Sequence, residues 1–200
     1  MGGFPEKEDP TFWEAQSFDS NWLTFAAAET LSKVAGLLQA KGKQPRLLRM
    51  NRAKFDDFQK GPTVLMGAVN NPWTLRLLGT LRFGFEYRIP EWGRIVDRQN
   101  KDQKDWTIIG AMPMHQMRRD YAIISRLIDP KTEQATLALS GISPLGTAAA
   151  GEFLTNPLHM QKLLALAPRG WEHMNVQVVL LTEVIEGVQG PPKILATHFW

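Results

Sequence analysis

Apolar positions recur at three- and four-residue spacing through Leu23, Ala26, Ala27, Leu31, Val34, Ala35 and Leu38, the spacing that turns one face of a helix toward a core. The helix so predicted begins at Asp19 or Ser20, runs to Gln39 and stops at Lys41-Gly42-Lys43. Glycine there suits the C-terminal turn, and lysine the negative end of the helix. A short strand is expected over residues 46–50, followed by a turn of helix around Phe55 and Phe58. The continuous apolar run Pro62-Thr63-Val64-Leu65-Met66-Gly67 predicts a strand covered on both faces. Just beyond it, Asn71-Pro72 supplies a preferred N-cap and a preferred first helical residue, so a helix should open directly past the strand's C-terminal end.

The alternation of Leu81, Phe83, Phe85 and Tyr87, resumed at Ile95, predicts extended chain over 81–97, broken at Ile89-Pro90. Further strands are expected at 106–109, 121–128 and 135–140, the last two forming a hairpin across Asp129-Pro130-Lys131-Thr132. An Ala-rich helix follows the 141–147 loop and runs through Leu154, and a second helix starts at Thr155-Asn156-Pro157. A long strand over 175–186 is answered by a C-terminal partner over 193–200. The fold class expected is α/β, with a single open, mostly parallel or mixed sheet flanked by helices and a C-terminal antiparallel strand pair. Residues 1–19 are read as a lead-in that packs late or stays mobile, and 20–200 as one α/β domain.

With 44% hydrophobic and 22% charged residues, the chain is too apolar for disorder and too interrupted for a membrane span. It has no Cys, which excludes disulfides, thiolate metal sites and cysteine nucleophiles. The net charge of +3 comes from 23 basic and 20 acidic residues. The nearest thing to a basic stripe, Arg46, Arg49, Arg52 and Lys54, reads as a solvated strand edge rather than a phosphate track, so no direct nucleic-acid binding is expected. No segment is expected to insert into a membrane, and the start, lacking the apolar core of a signal peptide, reads as a natural or introduced truncation point, which leaves the loss of an upstream neighbour open.

Candidate chemistry gathers where an apolar strand ends, a tight loop follows and a helix begins. This happens twice, at 66–74 and at 140–147. Ligands of open α/β sheets settle beyond the carboxyl ends of strands, where helix N-termini offer free N–H groups. Asn70, Asn71, Trp73, Thr74 and Arg76 on one wall, with Gly141, Ser143, Gly146 and Thr147 on the other, would suit a small polar or anionic ligand such as a carboxylate, a phosphate or a polyhydroxylated molecule. The plainer alternative leaves Asn71 and Thr147 as helix caps and Arg76 as a solvated side chain. The 141–146 loop has neither a P-loop lysine nor dinucleotide-type glycine spacing, and the four His (115, 159, 173 and 198) lack zinc-motif spacing. No catalytic residue, metal or cofactor is assigned. Asp120, Asp129, Glu152 and Glu183 leave open an enzyme of nucleoside or sugar chemistry built on a carboxylate pair. A ligand-free protein-interaction module is the third alternative, and a homodimer remains open.

The block Val64-Leu65-Met66-Gly67-Ala68-Val69-Asn70-Asn71-Pro72-Trp73-Thr74, with Leu81-Arg82-Phe83 behind it, is similar to one in uncharacterised bacterial proteins. A second block, Asp120 to Arg126, then Gly141-Ile142 and Gly146 to Leu154, resembles another of the same group, and the likeness covers about Ser20 to Trp200. In that group the domain often lies C-terminal to a winged-helix DNA-binding domain and a membrane helix, as in CadC-like one-component regulators. The resemblance implies the sensory half of a bacterial transcriptional regulator, on the extracytoplasmic side of an inner membrane; without it, a cytoplasmic location is equally open. It assigns no catalytic residues.

Overall fold

A computed structural model of the protein describes residues 23–110, 112–128 and 134–200. The lead-in expected at 1–19 and the turn expected at 129–132 lie outside them. Helix α1 (Phe25–Ala40) opens where Thr24 takes extended backbone and its hydroxyl accepts the N–H of Ala27, satisfying one of the amides that the first turn leaves without a helical partner. A short helix, α2 (Phe55–Gln59), precedes strand β1 (Thr63–Met66) and helix α3 (Pro72–Leu78). Strands β2 (Phe83–Arg88), β3 (Trp92–Asp97) and β4 (Thr107–Ile109) follow. Then come β5 (Arg119–Ile128), β6 (Ala135–Gly141), α4 (Pro144–Thr155) and α5 (Pro157–Leu164). The chain closes with β7 (Val176–Ile185), β8 (Val188–Gln189) and β9 (Lys193–Phe199).

The expected class holds: a mixed sheet flanked by helices, with β7 and β9 as a C-terminal antiparallel pair. In that six-stranded sheet β1 runs parallel to β6, while β6, β5 and β7 pair antiparallel in turn and β8 and β9 share the far edge of β7. The extended chain at 81–97 and the strand after it form a separate antiparallel sheet, β2-β3-β4. Two corrections concern the first part of the chain. Residues 46–50 are exposed coil leading into a 3-10 turn at Met50–Arg52, not a strand; Leu47 and Leu48 are adjacent rather than alternating, and no neighbouring strand takes up their backbone groups. The run expected to be covered on both faces is instead the edge strand β1, of which Leu65 alone is buried and the other three residues are half-buried.

Alternation along β5 shows how the layers stack. Tyr121 and Ile123 face Leu78 of α3 with Phe83, Ile95 and Ile108 of the small sheet. Ala122 and Ile124 face Val34 of α1, Ala150 and Phe153 of α4, and Leu163 of α5. Being covered on both sides, the middle of β5 reads as an unbroken apolar run. The small sheet is fastened to the large one by Gln177, whose Oε1 accepts the N–H of Phe83 at 2.9 Å and whose Nε2 donates to the Phe83 carbonyl at 2.8 Å and to Ser125 Oγ at 3.1 Å. The buried amide thus imitates a strand, leaving none of these groups to pay an unmet desolvation cost. Arg82 grips Asp97 with two hydrogen bonds, of 3.0 and 2.8 Å, and its guanidinium holds the Asp97 carboxyl below the usual range.

For the site, one relation matters most. β1 and β6 are adjacent and parallel, yet α3 leaves β1 for the face of the small sheet while α4 leaves β6 for the opposite face. Their C-terminal ends therefore form a topological switch point.

Candidate functional site

Polar chemistry inside the protein is concentrated at that end. Of the twelve buried polar or charged side chains among the described residues, six lie there: Asn71, Thr74, Asp120, Ser140, Ser143 and Thr147. On the β1 side, Asn71 caps α3, its Oδ1 accepting the N–H groups of Trp73 and Thr74 at 3.2 and 3.3 Å. Its Nδ2 donates back to the Met66 carbonyl at 3.0 Å. The same side chain thus starts the helix and ties it to the strand it follows. Asn70 and Arg76 are exposed and Trp73 is half-buried, with the Phe58 ring centre 4.7 Å from its own and the Arg76 guanidinium 5.5 Å from its ring centre. Thr74 is buried and its hydroxyl has no hydrogen-bond partner among the described residues.

On the β6 side the helix N-terminus is already filled by the protein's own carboxylate. Asp120, at the start of β5, accepts the Gly146 N–H on Oδ2 at 2.6 Å and the Tyr121 N–H on Oδ1 at 2.7 Å, and receives the Ser143 hydroxyl on Oδ2. A negative group at the first turn of α4 is where the helix dipole favours one. Ser143 Oγ also accepts the Leu145 N–H at 3.1 Å, and Thr147 Oγ1 accepts the Gly141 N–H at 3.0 Å. This closeness depends on two glycines. A Cβ at Gly146 would come 2.5 Å from the Tyr121 carbonyl and 2.9 Å from Asp120 Oδ2, and one at Gly141 would collide with the backbone of Ser143 and Thr147.

Burial pushes the Asp120 carboxyl up to about 6, against the pull of hydrogen bonds from Ser143, Tyr121 and Gly146. Tyr87 of β2 packs against the same core cluster as Val69 and Ile142, one from each loop. Burial and then the Asp120 charge raise its phenol well above the ordinary value, while a hydrogen bond with the Val69 backbone acts the other way.

The proposed walls therefore differ in access. Asn70, Trp73 and Arg76 form an open rim; Gly141, Ser143, Gly146 and Thr147 are buried beneath it and bonded among themselves and to Asp120. Ser143 is 1% exposed, so its hydroxyl does not meet a substrate as the site stands. Of the other acids considered for a carboxylate pair, Glu152 stands 3.6 Å from His159 and Glu183 is bonded to Lys193 at 2.6 Å; Asp129 lies outside the described residues. No group of three or more His, Asp or Glu that could hold a metal occurs among the described residues, and no helix among them is long and apolar enough to cross a membrane. An open groove of about 300 Å³ lies at the opposite end of the sheet, lined mainly by apolar side chains including Leu77, Leu81 and Trp200. It has no charged side chain, so the hollow and the polar chemistry are at different ends, and the chemistry is the better guide to a polar ligand.

Sequence reasoning treated Asp120 only as one of four acids for a pair and did not single out Tyr87 or Ser140, whose buried hydroxyl also has no hydrogen-bond partner among the described residues. The available signal was an acid at the head of the apolar run Tyr121-Ala122-Ile123-Ile124, a position that burial would make expensive without donors. Known protein families, curated proteins and solved structures were compared with the chain, and none matches.

Proposed function

We propose that the protein is a non-enzymatic ligand-sensing domain of a bacterial transcriptional regulator, binding a small polar or anionic molecule beside the C-terminal ends of β1 and β6. The observation that carries this reading is the gathering of buried polar groups at the switch point, where open α/β sheets bind their ligands. Asn70, Trp73 and Arg76 meet the ligand at the rim: the guanidinium supplies charge, the indole a flat apolar face and the amide directional hydrogen bonds. Asn71, with one hydrogen bond to the strand and two to the helix, passes movement of the rim to β1. The regulator role rests on the resemblance of the two sequence blocks. A sensing role is favoured over catalysis because Ser143 is buried and the acid that accepts its hydroxyl, Asp120, is itself held by the backbone amides of Gly146 and Tyr121.

A thermal-shift screen of the purified chain against organic acids, sugar phosphates, nucleotides, sugars and amino acids tests this. A saturable rise in melting temperature with one class, lost in Arg76→Ala, is expected. Absence of a shift across the panel, or a shift that Arg76→Ala and Asn70→Ala leave intact, rejects the rim as the site.

A further inference from the structure

The segment joining α1 to α2 carries a charge that the rest of the fold does not use. Residues 41–54 contain Lys41, Lys43, Arg46, Arg49, Arg52 and Lys54 and no acid. With 23 basic and 20 acidic residues in the whole chain, the remainder holds seventeen against twenty. The protein's entire positive excess is therefore in this one stretch. All six cations are exposed. Arg46 meets Asp57 at 3.0 Å, and among the described residues no ion pair involves the other five.

Apolar side chains stand among these cations instead of folding inward. Leu47 is 65% exposed, Leu48 46% and Phe55 64%. The segment is tied at one end by the amides of Lys41, Gly42 and Lys43 on the last carbonyls of α1, and at the other by the 3-10 turn at Met50–Arg52. Between these ties it presents a basic, leucine-bearing surface. Exposed apolar groups set within charge mark an interaction surface more often than isolated ones do.

We propose that residues 41–55 form a peripheral docking surface for an anionic lipid bilayer. The cations meet headgroup phosphates, and Leu47, Leu48 and Phe55 enter the interface beneath them. Charge complementarity favours a polyanion, and the leucines decide which one. A nucleic-acid backbone accepts the cations but has no place for an adjacent pair of exposed leucines. Its bases are read by side chains set on a helix or strand in a groove, or stacked on aromatic platforms, whereas this segment is mostly coil with a single exposed ring. A bilayer interface accepts both components, the binding growing with buried apolar area and with attraction to anionic lipid. Each Lys or Arg near such a surface strengthens binding about five-fold.

The test is co-sedimentation of the full chain with phosphatidylcholine vesicles, with and without phosphatidylglycerol. Saturable binding to the phosphatidylglycerol vesicles, weakening with salt, and none to phosphatidylcholine alone is expected. The variant Lys43→Glu/Arg49→Glu/Arg52→Glu, whose sites are exposed and have no ion pair among the described residues, should bind at least about a hundred-fold more weakly. The variant Leu47→Ser/Leu48→Ser keeps every charge and should lose about ten-fold; circular dichroism checks that both remain folded. Failure to bind phosphatidylglycerol vesicles, equal binding to phosphatidylcholine alone, or indifference to the leucine variant overturns the proposal. So does binding of mixed-sequence duplex DNA as tightly as the anionic vesicles at the same salt.

Discussion

The β1–α3 and β6–α4 connections are built on the same plan and end up in opposite states. Each follows one of two adjacent parallel strands, each helix begins with proline at its first position, and each is capped by a short polar side chain, Asn71 in one and Ser143 in the other. Around Asn71 the cap satisfies its own helix and the rim beyond it stays open. Around Ser143 the cap is pulled onto a carboxylate from β5, the glycines let backbone close on backbone, and the whole turn is buried. The difference comes from a neighbour more than twenty residues away in sequence, and it teaches that a helix N-terminus at a strand end is an available anion site only where the fold has not brought its own anion there.

The largest effect is expected where the β6 turn is denied its closeness. Gly141→Ala puts a methyl group against the backbone of Ser143 and Thr147, which cannot rotate aside as a side-chain tip could. A loss above about 4 kcal/mol is expected, seen in urea denaturation as a chain largely unfolded in buffer. A small loss would mean that the turn is loose and could open to a ligand after all.

The next largest effect is one of pH. The Asp120 carboxyl stands at about 6 in the folded protein against 3.8 in its ordinary state, chiefly through burial. Between those values the folded protein holds a proton that the unfolded chain has released, so this group favours folding more as pH falls from above 6 to below 4. Asp57, Asp97 and Glu183 have lowered values and act in the opposite sense, so the effect must be read as a difference from Asp120→Asn, which lacks the titration. Relative to that variant, the wild type should gain on the order of 3 kcal/mol across the window. A difference independent of pH would show that water reaches the carboxylate.

The turn around Gly141 and Asp120 is the part of the site least legible in the sequence. Caps and first-turn prolines are local signals, so Asn71-Pro72 and Asn156-Pro157 mark the starts of α3 and α5 where the structure has them, whereas α4 opens at Ser143-Pro144, inside the stretch expected to be a loop, and Thr147 lies within the helix instead of capping it. The β5–β6 hairpin and the β7–β9 pair were likewise readable, because alternation and turn residues are short-range. What Asp120 does is set by tertiary packing, since a lone acid in an apolar strand has the same spelling whether it is solvated, paired or buried under a helix. The small sheet escaped separate identification for a related reason: its strands were visible, but the Gln177 amide that binds Phe83 is 94 residues away. The expected strand at 46–50 failed because propensity was counted without a pairing partner, which a strand needs.

On the open side the effects should be smaller. Asn71→Ala removes two hydrogen bonds to the first turn of α3 and one to the Met66 carbonyl. A cap of this kind contributes about 1 kcal/mol, and the loss of a donor to the partly buried Met66 carbonyl adds to the cost, so a loss of about 1–2 kcal/mol is expected in equilibrium denaturation. This would make the rim's support substantial but far weaker than the lock around Gly141. Equal losses at the two positions would end the distinction between an adjustable side and a sealed one.

The smallest effect on stability is the most informative about function. Asn70 and Arg76 are exposed, and the Arg76 contact with Trp73 is a partly solvated one whose loss costs little. Asn70→Ala and Arg76→Ala should each leave the unfolding free energy within about 0.5 kcal/mol of wild type. Side chains that can be removed without weakening the fold, at the rim of a cluster whose other members cannot, are free to serve a ligand. The contrast is sharpened if these same variants abolish the ligand-induced rise in melting temperature. If either costs several kcal/mol without ligand, its role is in holding α3 to β1, and the two connections are both structural.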